Sequence, residues 1–255
     1  DSHRTAFDTM AWWARSGLMD IVRPSENSPP ANPPIGMGDQ PTGVALFASI
    51  MTALYRREKT GKGGEVHTSL MANGAWSNGS FIQAGLFGAQ FPERKEPSPL
   101  HPFGGRYKTK DNRYLILAII DANKEWPKLL KALDIEYFNK DPRFSSFKKM
   151  NENFMILYEE LEKIFIQYSL KEITEKLRFS EVTFGILSHS NDHSKDQQFI
   201  ETEVLVKFDE GSFDEDFFTV NSPIFLENES KKIPTKAPKL GEHTKEILSS
   251  LGQDE

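Results

Sequence analysis

Apolar residues recur at helical spacing over residues 42–58, where Val44, Phe47, Ile50, Met51 and Leu54 predict an amphipathic helix. Thr42 is the expected N-cap. Arg56 and Arg57 close the pattern, where cations suit the negative end of the helix dipole. Lys59-Thr60-Gly61-Lys62-Gly63-Gly64 then ends it and reads as a C-cap turn. Upstream, residues 6–19 predict a helix ended by Gly17, with Trp12 and Trp13 as packing residues. Residues 23–38 hold five prolines and no periodicity, which predicts a surface loop. Downstream, residues 65–70 read as a short strand, followed by a helix through about residue 88. That helix is rich in Gly and Ala, so another backbone is expected close against it.

A second proline-rich stretch, residues 91–102, is the expected domain boundary. Beyond it, a turn at residues 110–112 introduces a buried strand over 113–119. Helices are predicted at 124–133, 151–168, 170–178 and 194–203, with a strand at 183–187. In the second of these helices Phe154, Leu157, Tyr158, Leu161, Ile164 and Phe165 form the apolar stripe. Residues 204–227 are strand-like, and the acidic run at 209–216 reads as a solvated hairpin. A last helix starts near Glu242. The predicted class is α/β, divided as 1–90, 91–203 and 204–255.

Composition narrows the function. Of 255 residues, 38% are hydrophobic and 27% charged, which fits a folded globular chain. A net charge of −6 argues against a nucleic-acid binder, whose footprint is basic. There is no cysteine, so thiol nucleophiles, thiolate metal sites and disulfides are excluded. This fits a reducing cytoplasm, the expected location. No apolar run approaches the ~18 residues of a membrane span. The chain opens on polar residues without Met or a signal peptide, and a helical pattern begins at once. Upstream sequence is therefore expected to be missing or to sit on another chain.

Asp39 is the candidate for chemistry. It lies between Gly36-Met37-Gly38 and the strong helix, at a bend where a ligand can approach the backbone. A helix N-terminus favours an ionised carboxylate, and an ionised carboxylate can attack an acyl carbon. The competing reading is a plain capping or turn Asp, the commoner role at such positions. His189 and His193 have i,i+4 spacing, but their segment reads as a loop, and no metal motif is present. There is neither a Gly-x-Ser-x-Gly elbow nor a Walker loop.

Met37-Gly38-Asp39, the helix ending Ala53-Leu54-Tyr55-Arg56-Arg57-Glu58, and Lys59-Thr60-Gly61-Lys62-Gly63-Gly64-Glu65-Val66 together resemble the signature segment of class III CoA-transferases, the formyl-CoA and carnitine-CoA transferase group, which includes α-methylacyl-CoA racemases. Phe7-Asp8 with Ala14-Arg15-Ser16-Gly17-Leu18-Met19, Tyr107-Lys108-Thr109-Lys110-Asp111, Asp141-Pro142-Arg143-Phe144 and Ala237-Pro238-Lys239-Leu240-Gly241-Glu242-His243-Thr244 are similar to the family in order along the chain. The resemblance implies a Rossmann-like large domain, here incomplete at its N-terminus, with a smaller inserted α/β domain. The C-terminal segment returns to the large domain, and two chains interlock as a homodimer. It implies coenzyme A, as acyl-CoA, and a carboxylic acid as substrates, without a metal. Asp39 takes the place of the family's nucleophile. Arg4, Thr5, Ala6, Phe7 and Asp8 match a CoA-contacting stretch, with Arg4 meeting a phosphate or standing as a surface charge. Gly38, Ser98 and His101 fall at substrate positions.

The sequence departs from the family at Gly64, where Gln is usual, and at residues 97–101. There the formyl-CoA transferases carry a glycine-rich loop, and this chain has Pro97-Ser98-Pro99-Leu100-His101. Formyl or oxalyl transfer is therefore not expected, and a larger acceptor acid is. The racemase branch has a His where this chain has Phe7, and a phenyl ring cannot carry a proton. Transfer is favoured over racemisation on that ground. The third reading is a non-catalytic fragment that requires a separate N-terminal partner.

Overall fold

The computed structural model describes residues 3–91, 93–94, 101–209, 211–213 and 217–253. They are mixed α/β and fall into two compact units, within Asp1–Pro102 and Phe103–Glu255.

The first unit opens with a π-helical turn, Thr9–Ala14. The Arg15 N–H reaches back five residues to the Met10 carbonyl at 3.1 Å, which is the wider hydrogen-bonded ring of that helix type. Gly17, left-handed at φ 83°, ends the turn where the sequence predicted an end. The chain then makes the short helix α1, Leu18–Ile21, instead of one continuous helix over 6–19. Trp12 and Trp13 are both buried, and their rings stack with centroids 5.7 Å apart. They pack as expected.

Helix α2 spans Asp39–Thr60, 22 residues, and starts ahead of the expected Thr42. Gly38 is the N-cap; the Thr42 hydroxyl instead donates to the Gly38 carbonyl at 2.7 Å. Pro41, just ahead of the expected start, falls in the first turn. A helix leaves its first N–H groups unpaired there in any case, so proline costs nothing. Gly61 closes the helix at φ 69°, its N–H donating to the Arg57 carbonyl at 2.8 Å. No residue of α2 is buried: Val44, Phe47, Ile50, Met51 and Leu54 are 36–47% exposed. Its hydrogen bonds are satisfied internally, while its apolar row keeps much of its surface in water.

Residues 65–69 form no ladder among the described residues, so the strand predicted over 65–70 is not made. A strand requires a neighbour to take its N–H and C=O groups. Ser69 ends the segment by capping α3, Leu70–Ser77, its hydroxyl accepting the Ala72 N–H at 3.1 Å. Asn78 separates α3 from α4, Gly79–Leu86, and breaks the single helix predicted to residue 88. Its buried side-chain amide donates to the Ser16 carbonyl at 2.7 Å and ties the junction to the segment after the π turn.

The second unit holds a three-stranded antiparallel sheet in the order β1 (Arg106–Lys108), β2 (Tyr114–Leu117), β3 (Phe184–Ile186). Tyr107 pairs with Leu115, and Leu115 with Ile186. Period-two alternation puts Leu115 and Leu117 on one face, and both are fully buried with Tyr107. Helices α5 (Ala122–Leu133), α6 (Phe147–Glu152), α7 (Phe154–Phe165) and α8 (Leu170–Phe179) follow in the chain. The predicted helix 151–168 is thus two, divided at Asn153, but its stripe survives: Leu157, Leu161 and Phe165 are each 0% exposed. Helix α8 begins with a reciprocal capping box between Ser169 and Glu172. Beyond it lie α9 (Gln197–Glu201), the hairpin β4 (Leu205–Lys207) with β5 (Phe218–Val220), and α10 (Thr244–Ser250). Among the described residues no helix is long and apolar enough to cross a membrane.

The turn joining β1 to β2 is locked to α8. Asp111 accepts from the Thr109 hydroxyl at 2.6 Å and from the Leu170 N–H at 3.0 Å. The Thr109 hydrogen bond, helped by the Leu170 amide and opposed by partial burial, holds the Asp111 carboxyl below the usual aspartate range. A carboxylate with a lowered folded pKa contributes its full stability above the unfolded pKa of about 3.9, and loses it as pH falls through the folded value. We expect Asp111→Asn to weaken amide-exchange protection in β1, β2 and α8 at about pH 6. The gap to wild type should narrow as pH falls below about 3.9, where the unfolded carboxyl takes up its proton, and close below the folded value.

Candidate active site

Asp39 is the first residue of α2. It is exposed, and among the described residues its carboxylate takes part in no hydrogen bond or ion pair. The plain capping role considered from sequence therefore does not occupy it. The helix behind it is long, and a helix N-terminus carries a partial positive charge of roughly half a proton that favours the anion.

Gly38 is buried directly before it and packs against the indole of Trp12. A Cβ at position 38 would stand 2.6 Å from Trp12 Cβ and Cγ, so no larger residue fits. The Gly38 N–H points to Asp8 Oδ2 at 3.4 Å, while Asp8 Oδ1 accepts from the Thr9 N–H at 2.7 Å. Asp8 is buried. This link brings the 4–8 stretch and the Gly38–Asp39 pair, 30 residues apart, into one place.

Arg4, Thr5 and Ala6 line a cavity of about 500 Å³ together with Met10, Arg15 and Met71. Its walls are apolar with two guanidinium groups, which suits an apolar chain carrying an anion. Arg15 and Met71 were not singled out from sequence. The π turn brings Arg15 to the wall that Arg4 and Met10 share, and no simple sequence period announces that placement. Phe7 is 67% exposed and lies outside this wall. The sequence-based site residues thus separate: Arg4, Thr5 and Ala6 share a cavity, Asp8 and Gly38 share a hydrogen bond, and Asp39 is free in solvent. His101 is half-buried ahead of the 3-10 turn Pro102–Gly104. Ser98 lies outside the described residues.

Two further cavities belong to the first unit. One, of about 830 Å³, is bordered by Gly17, Asp20, Glu26, Asn78, Phe81 and Arg94. There Arg94 pairs with Glu26 at 3.1 Å and with Asp20 at 3.0 Å. The guanidinium of Arg94 leads in holding both carboxyls below their usual range. The other, of about 460 Å³, runs between the second half of α2 and residues 65–67. Asp39 lines none of the three. In the second unit His193 contacts the Ser190 carbonyl through Nδ1 at 3.2 Å and packs on Phe199. Among the described residues no three His, Cys, Asp or Glu side chains are placed to hold a metal.

Comparison with known proteins gives the site a context. The chain is 33% identical, over 99% of its length, to (R)-2-hydroxy-4-methylpentanoate CoA-transferase of Clostridioides difficile. It is 26% identical, over its whole length, to cinnamoyl-CoA:phenyllactate CoA-transferase of Clostridium sporogenes. It spans 62% of the length of each of these relatives. In fold it is similar to a CAIB/BAIF family protein from Brucella suis, with a TM-score of 0.82 over 98% of this chain and 64% of that one, at 23% identity. The description of CoA-transferase family III matches residues 1–244, and the chain belongs to that family.

Proposed function

We propose that the protein containing this chain is an acyl-CoA:carboxylate CoA-transferase in which Asp39 carries the acyl and CoA groups in turn. The observation that carries this reading is the solvent-open carboxylate of Asp39, without a partner among the described residues, at the start of a long helix and held beside the 4–8 stretch through Gly38. An Asp39 oxygen attacks the donor thioester carbonyl, the C–S bond breaks, and CoA leaves as thiolate. The thiolate attacks the Asp39 carbonyl of the mixed anhydride, releasing the donor acid and leaving an aspartyl-CoA thioester. The acceptor carboxylate attacks that thioester and again frees the thiolate. The thiolate then takes the acceptor acyl group from the second anhydride and restores Asp39. No net proton moves, so neither metal nor general acid is required.

Arg4 would meet a CoA phosphate and Thr5 and Ala6 its arm, with Phe7 and Asp8 at the nucleophile's end. Gly38, Ser98 and His101 would border the acyl group. The two relatives above are named for (R)-2-hydroxy-4-methylpentanoate and for cinnamoyl-CoA with phenyllactate. Branched and aryl 2-hydroxy acids are therefore the acceptors to try first, in line with the missing glycine run at 97–101.

The assembly we propose is the interlocked homodimer of the family. Its large domain is Rossmann-like, a smaller domain is inserted, and residues 204–255 return to a large domain. The uncovered row of α2 would be covered by further sequence, on this chain or a separate N-terminal chain. A cytoplasmic location fits acyl-CoA chemistry.

The test is to incubate the complete protein with acyl-CoA, trap with hydroxylamine and map the peptides by mass spectrometry. A hydroxamate at Asp39 is expected. An unmodified Asp39 in a protein that exchanges the substrate's α-proton with solvent would establish an isomerase instead.

A further inference from the structure

Position 38 is gripped twice by the π turn. The polar grip is Asp8, whose two carboxylate oxygens serve two different amides: Oδ1 the Thr9 N–H at 2.7 Å, Oδ2 the Gly38 N–H at 3.4 Å. The steric grip is Trp12, against which the bare Cα of Gly38 is pressed. Trp12 is itself fixed, its Nε1 donating to Asn73 Oδ1 at 2.9 Å and its carbonyl abutting Gly74. The Gly38 cap has no side chain; from within α2 the Thr42 hydroxyl holds the Gly38 carbonyl at 2.7 Å, while its N–H and Cα are held from the π turn. The next Cα along, about 3.8 Å away across one trans peptide, is that of Asp39.

We infer that Asp8 and Trp12 are positioning residues for Asp39: they fix the entry of the chain into α2 and so aim the nucleophile, without touching coenzyme A through their side chains. This rests on the transferase reading above. It departs from the sequence-based expectation for Asp8, a residue at the CoA-contacting stretch. A buried carboxylate whose oxygens already accept from two backbone amides is committed within the protein.

The two roles separate in kinetics. Asp8→Asn keeps one carbonyl oxygen to cap Thr9 but presents an amide N–H to the Gly38 N–H, donor against donor. The turn stays capped, and the start of α2 is released. A misplacement of about 1 Å at a reacting group costs on the order of 100-fold in rate, so kcat should fall about 10- to 100-fold. KM for acyl-CoA should stay within about two-fold, since a lost transition-state alignment leaves ground-state binding intact. Trp12→Phe keeps a ring against Gly38 but loses the bond to Asn73. It should show the same split to a smaller extent, and it carries the test if Asp8→Asn does not accumulate as folded protein.

The measurement is steady-state CoA transfer by the complete protein, with Asp39 labelling by acyl-CoA and hydroxylamine alongside. A raised KM with unchanged kcat would place Asp8 on the CoA and overturn the inference, as would wild-type kinetics in both variants. If wild type itself yields no Asp39 adduct, the transferase reading has failed and this inference fails with it. A wild-type adduct together with either contrary kinetic result removes the inference alone.

Discussion

Asp39→Asn is expected to yield a folded protein with no measurable CoA transfer and no hydroxylamine-trappable adduct. The side chains are nearly the same size, and the Asp39 carboxylate has no partner to lose among the described residues. The structural cost is confined to the charge at the helix N-terminus, about 0.3–1 kcal/mol at an exposed site. The chemical cost is much larger. An amide oxygen does not form the anhydride, so every covalent stage is lost at once, and removal of a nucleophile lowers turnover on the order of 10⁴-fold or more. Steady-state transfer and thermal unfolding, measured on the same preparation, check both halves. Retained transfer would show that the acyl group travels by another route. Loss of fold would show that Asp39 holds the structure together in a way its exposure does not reveal.

The second unit was the more legible half of the sequence. The stripe Leu157, Leu161 and Phe165 is made as read, and the buried strand read over 113–119 is made as Tyr114–Leu117; both are local patterns whose partners lie in the same unit. The misses have specific physical causes. The start of α2 was placed at Thr42 instead of Asp39 because Thr42 is a residue that caps well, while Gly38 has no side chain to signal a cap. Asn78 and Asn153 divide helices whose apolar spacing runs through them, because a helical period does not register a break made by one polar side chain. The strand predicted over 65–70 had the right residues and no paired neighbour among the described residues. In α2 the periodicity was read correctly, yet it does not mark a buried face among the described residues, since pattern reports what a helix can bury and not what covers it. At the site, Asp39 stood out by its glycines and its helix. The contact of Asp8 with Gly38 spans 30 residues and leaves no trace in spacing.

The glycines of 72–85 predicted a close backbone approach, and one pair of substitutions measures how local that approach is. At Gly74, buried in α3, a Cβ would stand 2.4 Å from the Trp12 carbonyl oxygen and 3.0 Å from its C and Cα. Those are backbone atoms, so no rotamer change relieves the clash; α3 and the π turn must separate. At Gly85, in α4, a Cβ would meet nothing within 4 Å. The same substitution, Gly→Ala, therefore has opposite signs eleven residues apart. Gly85→Ala should gain about 0.5–1 kcal/mol from reduced chain entropy in an open helical position. Gly74→Ala receives the same gain and loses more, because overpacking a tight contact costs about 1–3 kcal/mol and more where only backbone can yield. We expect a net loss of about 2 kcal/mol or more in the first unit, read as weakened amide-exchange protection in α3 and residues 9–14 with the β1–β3 sheet unchanged. Parting α3 from the π turn also loosens Trp12, and Trp12 is what Gly38 rests on. Gly74→Ala should then slow transfer even at temperatures where the protein remains folded, whereas Gly85→Ala leaves transfer untouched. Equal stability effects at the two glycines would mean that α3 and the π turn do not meet as closely as the Gly74 geometry requires.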